Sequence, residues 1–209
     1  MNTNAPLEEE RTYHIYNRGN GGASLFYRDE DYAYFLRQYD KHLSDFVDTF
    51  AYCLLPNHFH LLVRIKSRQD FPVRQDFPTQ HDLGNLTAGE VVIELFRRFF
   101  MGYSKAINAQ QHRTGSLFEK HFRRREIHGG AHLPLMVYHI HQQPQHHGLA
   151  STSIQEYPWS SYGFFVSDKK TKLRRAEVLE WFGGEAAFVR FHEAEQDLTP
   201  IAQWLLEQD

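Results

Sequence analysis

The sequence predicts an α+β fold: a ferredoxin-like, RRM-like antiparallel sheet backed by helices, with a tyrosine-bearing helix and a short helical C-terminal extension. Three observations predict it. Apolar residues recur at helical period in two separate stretches, 29–43 and 87–111. Two apolar runs, 46–55 and 58–66, flank the turn pair Pro56-Asn57 and read as a hairpin. Strand-like segments stand before the first helix and after the second, giving the order β-α-β-β-α-β-α.

The first strand is Thr12–Asn17 (TYHIYN), ended by Arg18-Gly19-Asn20-Gly21-Gly22. In the first helix Tyr32, Phe35, Leu36, Tyr39 and Leu43 share one face. Both faces of the second hairpin strand are apolar, which predicts a central place in the sheet. Residues 67–86 read as a loop insertion, with RQDFP at 68–72 repeated at 74–78. Thr87 and Glu90 have capping-box spacing and open a helix to about Gln111. Thr114-Gly115-Ser116 breaks it, and 118–128 is expected to be extended. Pro134 suits the first turn of a third helix and Pro144 its stop. Short helices are expected at 173–182 and 185–195. The segmentation is thus a flexible acidic N-terminus (1–11), a main domain (12–165) and the helical extension (166–209).

The chain has 209 residues and one cysteine, Cys53, which excludes a disulfide scaffold and fits a reducing, cytoplasmic setting. No run approaches the roughly 20 apolar residues of a membrane span, so no membrane partner is expected. The N-terminus has neither the basic nor the apolar region of a signal peptide. A formal net charge of −3 argues at first against nucleic acid. The charge is unevenly placed, however. Glu8, Glu9 and Glu10 make the first ten residues acidic, and 166–209 is acidic too. Within 97–125, Arg97, Arg98, Lys105, Arg113, Lys120, Arg123, Arg124 and Arg125 stand against Glu119 alone. Phe96, Phe99, Phe100, Tyr103, Phe118 and Phe122 interleave with them. Cations among aromatics suit a phosphate backbone with bases to stack. An amphipathic helix with a solvated basic face explains the same composition.

Two segments carry chemistry. In Pro56-Asn57-His58-Phe59-His60, positions i and i+2 of a strand face one way, so His58 and His60 project side by side. Two imidazoles so placed can grip a divalent ion, though two half-buried core histidines give the same pattern. In Tyr138-His139-Ile140-His141-Gln142-Gln143-Pro144, residues one helical turn apart pair Tyr138 with Gln142 and His139 with Gln143. A tyrosine near a metal can attack a phosphodiester, and an amide oxygen one turn away can be a third ligand. A polar helix end accounts for these residues equally well. Zinc is not expected, because His141 is the only obvious third ligand. His14 is a candidate to support the pair from the first strand. His146 and His147 fall near the site, and His42, His81, His112 and His192 read as surface residues.

These segments resemble a known family. AYCLLPNHFHLLVRIK (51–66) is similar to the histidine–hydrophobe–histidine (HUH) segment of single-tyrosine transposases, more narrowly the REP-associated tyrosine transposases and their bacterial relatives. YHIYNRGN (13–20) resembles their opening strand, and 96–127 their basic helix and R-x-G-x-L-F turn. YHIHQQPQHHGL (138–149) and YPWSSY (157–162) resemble their tyrosine helix and trailing segment. The match spans about 12–165.

The resemblance implies a metal-dependent single-stranded DNA endonuclease and strand-transferase acting on hairpin-forming DNA. His58, His60 and Gln142 (or Gln143) would hold Mg²⁺ or Mn²⁺, and Tyr138 would form a 5′-phosphotyrosine. Arg18, Arg97, Arg98, Lys105, Arg113, Lys120, Arg123, Arg124 and Arg125 would contact the DNA. Family members occur as monomers or as homodimers with exchanged helices, and nothing in the sequence separates the two. One departure matters. The family places its tyrosine five residues before the proline of an Asn-Pro pair, and here that position is His139, with Gln143 in place of Asn. Either one residue is inserted after Tyr138, keeping Tyr138 and Gln142 as the working pair, or His139 has replaced the nucleophile. The insertion reading is preferred, since it keeps the Tyr/Gln pairing. The replacement reading leaves a silenced DNA-hairpin-binding protein. A sheet-based RNA binder fits less well, because no aromatic RNP-type strand motif occurs.

Overall fold

The computed structural model describes residues 5–72, 85–150 and 153–205. Four strands, β1 (Thr12–Arg18), β2 (Val47–Leu55), β3 (His58–Ile65) and β4 (Arg123–Glu126), form one sheet in the order β2-β3-β1-β4. Every neighbouring pair is antiparallel, and β1 and β3 are central. Helices α1 (Asp29–Leu43) and α2 (Ala88–Gln110) make the two crossovers, as the sequence pattern predicts. The Asp31 carboxylate accepts from the amides of Tyr27 (2.9 Å) and Arg28 (3.1 Å) and so fixes the start of α1. The expected capping box starts α2: Thr87 N donates to Glu90 Oε2 at 2.8 Å, and Glu90 N donates to Thr87 Oγ1 at 3.2 Å.

Strand alternation divides the interior into two layers. Tyr13 and Ile15 of β1 and Phe59, Leu61 and Val63 of β3 face α1 and α2, meeting Phe35, Phe96, Phe99 and Tyr103. Leu62 of β3 and Ala51, Cys53 and Leu55 of β2 face the other way. That second face is covered by α3 (His132–His146), a single-turn α4 (Tyr162–Phe165), α5 (Arg175–Phe182) and α6 (Glu185–Glu193). Phe165, Val178, Phe188, Ile201 and Trp204 join Met136, Val137 and Ile140 in one core there. The C-terminal segment therefore completes the sandwich. A register shift between Thr49 and Ala51 places Phe50 and Ala51 both in this second core.

Several boundaries differ from the sequence expectation. Only Arg123–Glu126 of 118–128 is a strand, because His121 takes φ +61 and interrupts the extended backbone. Pro144 lies inside the last turn of α3 and does not stop it. A proline this near the end removes one helical hydrogen bond, and its carbonyl then accepts from Leu149 (2.7 Å) and Ala150 (3.2 Å). Residues 5–11 pack against the body: Leu7 is buried, and its carbonyl lies 1.8 Å from where a Cβ on Gly89 would sit. The first RQDFP copy folds back through Phe71, whose ring meets Phe46 at 4.9 Å; the second copy lies outside the described residues.

Because Phe188 is fully buried between α3 and the C-terminal helices, Phe188→Ala should cost about 3–5 kcal/mol. Urea unfolding followed by tryptophan fluorescence and by far-ultraviolet circular dichroism should give one coincident transition at a lower midpoint. A separate early transition of the C-terminal segment would show that it is an independent unit.

Candidate nucleic-acid and metal site

The β1–β3 register sets the site. Tyr16 stands opposite His60, Arg18 opposite His58, and β4 places Arg125 beside His14 and Arg123 beside Tyr16. His14, Tyr16, His58 and His60 therefore share the sheet face that α3 crosses. His58 and His60 project together as expected, with ring centroids 5.2 Å apart at 80°. The Pro56-Asn57 turn that presents them is braced from behind. Gly19 N donates to Asn57 O at 2.7 Å, and Leu25 N to Pro56 O at 2.7 Å. A side chain at Gly19 would strike the Ala23 carbonyl at 1.8 Å, so only glycine permits this approach.

His60 is fully buried and lies edge to edge with His14, centroids 5.2 Å apart and ring planes 13° from parallel. His60 Nδ1 lies 2.9 Å from His14 Nε2, while His60 Nε2 is buried without a hydrogen-bond partner. The Tyr16 hydroxyl beside it is buried and unpartnered too. His58 donates through Nδ1 to Asn57 Oδ1 at 2.8 Å, leaving its Nε2 to accept. Burial, and then the nearby His147 ring, lower His58 to about 4. Burial carries His60 well below the ordinary histidine value. Both rings are thus neutral near pH 7, the form in which imidazole binds a metal. Two neutral imidazoles with nitrogen lone pairs to offer, one of them orphaned, fit a divalent cation. Among the described residues, no group of three or more His, Cys, Asp or Glu side chains is arranged to hold a metal ion.

Helix α3 decides what faces this pair. The His139 ring lies 6.0 Å from His60 and 6.2 Å from His14, nearly perpendicular to both. Gln143, one turn on, has its Nε2 3.0 Å from His139 Nε2. Tyr138 is rotated about 100° around the helix. Its ring meets His192 at 5.6 Å and Phe191 at 5.9 Å on α6. Gln142 follows it and donates to the His192 carbonyl at 3.1 Å. The Tyr138/Gln142 pair preferred from the sequence thus turns to the C-terminal helices, and the His139/Gln143 pair turns to the histidines. The register from Tyr138 to Pro144 is continuous helix, with no inserted residue looped out.

The basic residues divide as well. Arg97 and Arg98 both clamp Glu94, at 2.6 and 2.7 Å. Arg18 pairs with Glu119, and Arg123 reaches the same carboxylate at 3.3 Å. Arg125 binds backbone carbonyls of the C-terminal segment, Leu205 O at 3.1 Å. Arg124 donates to Ala5 O at 2.5 Å and lies over the Phe122 ring. Lys105 and Lys120 are exposed, and Arg113 is partly buried. Between α2 and 116–124 runs a groove of about 580 Å³, lined among others by Arg97, Phe100, Met101, Phe118, Phe122 and Arg124. The Phe100, Phe118 and Phe122 rings along it belong to the first core, and Met101 is exposed.

No family model matches the sequence, and no curated protein matches it. A solved structure does match: a REP-associated tyrosine transposase bound to a REP hairpin. The TM-score is 0.58 at 15% identity, over 80% of this chain and 86% of that one. The chain shares the fold of a REP-associated tyrosine transposase. That fold is the ferredoxin-like α+β sheet expected from the sequence.

Tyr16 is a site residue that the sequence pattern does not single out, whereas His147 lies where the sequence places it, near the site. His147 meets His58 at 4.8 Å from just beyond the end of α3. A signal for Tyr16 does exist: it follows His14 by two positions on a strand and must share its face.

Burial keeps a set of histidines uncharged: His14, His58 and His192 lowered to about 4, His139 to about 3, His60 and His141 well below their usual value. In the unfolded chain each takes up a proton near pH 6.5. The unfolded state therefore binds more protons between about pH 6.5 and 4, and stability falls as pH falls through that window. The slope is about 1.4 kcal/mol per pH unit for each ring. Urea midpoints in chelator should hold above pH 7 and drop steeply below 6.5; a flat profile from 6.5 to 4.5 would contradict the buried neutral state.

Proposed function

We propose that the protein binds hairpin-forming or single-stranded DNA on a transposase fold whose tyrosine position is taken by His139, so that Tyr138 is not a working nucleophile. The observation that carries this is the facing of α3. The His139 ring faces His60 and His14, with Gln143 hydrogen-bonded to it one turn on, while Tyr138 packs on Phe191 and His192. An in-line attack needs the nucleophile beside the activated phosphate, within about 3–3.5 Å of the reacting atom. A hydroxyl on the other side of the helix does not meet that requirement. The likeness to a transposase bound to a hairpin supports a related ligand, a folded single strand.

His58 and His60 are the residues we assign to Mg²⁺ or Mn²⁺, with the Gln143 amide, one turn from His139, as the candidate third ligand. The orphaned Nε2 of His60 supports this assignment. Imidazole donors favour Mn²⁺ over the harder Mg²⁺. When bound, the cation would polarise a phosphate oxygen of the strand. The protein's own part is to hold the strand, with Lys105 and Lys120 on the phosphates.

The test uses oligonucleotide hairpins with single-stranded flanks, in Mn²⁺. Wild type should shift fluorescence anisotropy without forming a covalent adduct on denaturing gels, and His139→Tyr should begin to form one. An adduct in wild type that Tyr138→Phe removes would establish the endonuclease and strand-transferase with Tyr138 as nucleophile. In salt titrations, Lys105→Ala and Lys120→Ala should each reduce the slope of log K against log[salt] by about 1. An unchanged slope would remove that lysine from the interface.

A further inference from the structure

Two pairs of buried histidines cross the layer between the sheet and the helices, and they end differently. In the first pair, His192 Nδ1 lies 2.9 Å from the Phe188 carbonyl, which can only accept. His192 Nδ1 therefore carries the proton, and its Nε2 accepts from His141 Nδ1 at 3.0 Å. His141 Nε2 then accepts from the Ser161 hydroxyl at 2.8 Å. Every nitrogen in that chain is satisfied.

The second pair starts the same way. His14 Nδ1 faces the carbonyl of Trp204 at 3.3 Å and must donate to it. The neutral His14 ring then holds its lone pair on Nε2, and this nitrogen lies 2.9 Å from His60 Nδ1. His60 must donate there, which leaves the lone pair on its own Nε2. Where the first chain closes on a serine, the second ends on a buried nitrogen with no partner, next to His58. Burial keeps His14 neutral, lowered to about 4, and the charged group that faces it, Arg125, acts in the same direction.

We propose that His14 is a positioning residue: it holds His60 in the Nδ1–H tautomer, so that the Nε2 lone pair is presented to the cation, and the Trp204 carbonyl holds His14 in turn. Free histidine in water favours the opposite, Nε2–H form, so His60 needs a fixed acceptor at Nδ1. Such an acceptor behind a ligating histidine sets the ring's tautomer and orientation and raises its basicity. The acceptor here is another imidazole, tethered to a carbonyl some 190 residues away in sequence. The C-terminal segment is by this route part of the site. The inference rests on the metal assignment made above, but the tautomer can be read without metal.

The experiment is ¹⁵N NMR of histidine-labelled, metal-free full-length protein above pH 7, followed by Mn²⁺ titration by calorimetry. In wild type, His60 and His14 should both show a protonated Nδ1 and a bare Nε2. His14→Phe keeps a flat ring but offers no acceptor; it should release His60 toward the Nε2–H form and weaken Mn²⁺ about 10- to 100-fold. His14→Gln, whose side-chain oxygen can accept from Nδ1, should restore most of both. Wild-type His60 found as Nε2–H, or a His60 tautomer unmoved in a folded His14→Phe, would overturn the proposal. If His14→Phe fails to fold, folded His14→Ala takes its place: loss of the Nδ1–H form there supports the positioning role, and its retention overturns it. A tautomer that responds as described in a protein that binds no Mn²⁺ would overturn the metal assignment and leave the positioning role intact.

Discussion

The antiparallel pairing of β1 with β3 is the contact on which the rest depends. It sets Tyr16 against His60 and Arg18 against His58, and it brings the His14 ring into hydrogen-bond reach of His60 across the strands. Strand alternation does the remainder. Each apolar residue that β1 and β3 send toward α1 and α2 obliges the next one to face α3. Phe59 and Leu61 are therefore fixed in the first core by the same geometry that fixes His58 and His60 in the second layer. A one-residue slip would exchange the two sets, burying the imidazoles among phenylalanines, and the cost of that exchange is what holds the register.

Burying this much imidazole is expensive unless each ring is neutral and its nitrogens are engaged. Carbonyls of the C-terminal segment engage two of the rings, Phe188 O at His192 and Trp204 O at His14, and His192 O takes the Gln142 amide. That segment is acidic overall and follows the part that resembles a transposase, which makes it look dispensable. Its role is instead to close the second core and to satisfy polar groups that the sheet and α3 leave there. The basic residues show the same economy. Several of the arginines that give 97–125 its positive balance are held by Glu94, Glu119 or backbone carbonyls, so the charge available to a phosphate backbone is smaller than the residue count.

Much of this is legible in the sequence, because it depends on period. The two amphipathic helices, the hairpin around Pro56-Asn57, the central place of β3 and the common facing of His58 and His60 all follow from spacings of 3.6 and 2. What is not legible depends on contacts distant in the chain. The β-bulge at Phe50, the burial of Leu7 against Gly89 and the anchoring of His14 on Trp204 join residues whose spacing carries no signal. Charge pairing is of the same kind: Arg18 and Glu119 are 101 residues apart. The short extent of β4 is hidden because a single positive φ at His121 divides a run whose composition is uniformly strand-like.

The facing of α3 lies between these two cases. Sequence alone supplies two pairs at helical spacing, Tyr138 with Gln142 and His139 with Gln143, and chemistry favours the pair that contains a tyrosine. Spacing fixes which residues stand together on a helix, but it is silent about the helix's rotation on the sheet. That rotation is set by the apolar members Met136, Val137 and Ile140, which must enter the core with Leu62 and Phe188. Once those three are buried, the position between Val137 and His139 is carried toward α6, and the position after it toward β1 and β3. Which residue of α3 faces the sheet histidines is thus decided by the hydrophobic stripe beside it, and that stripe brings the neutral His139 imidazole to His60 and His14.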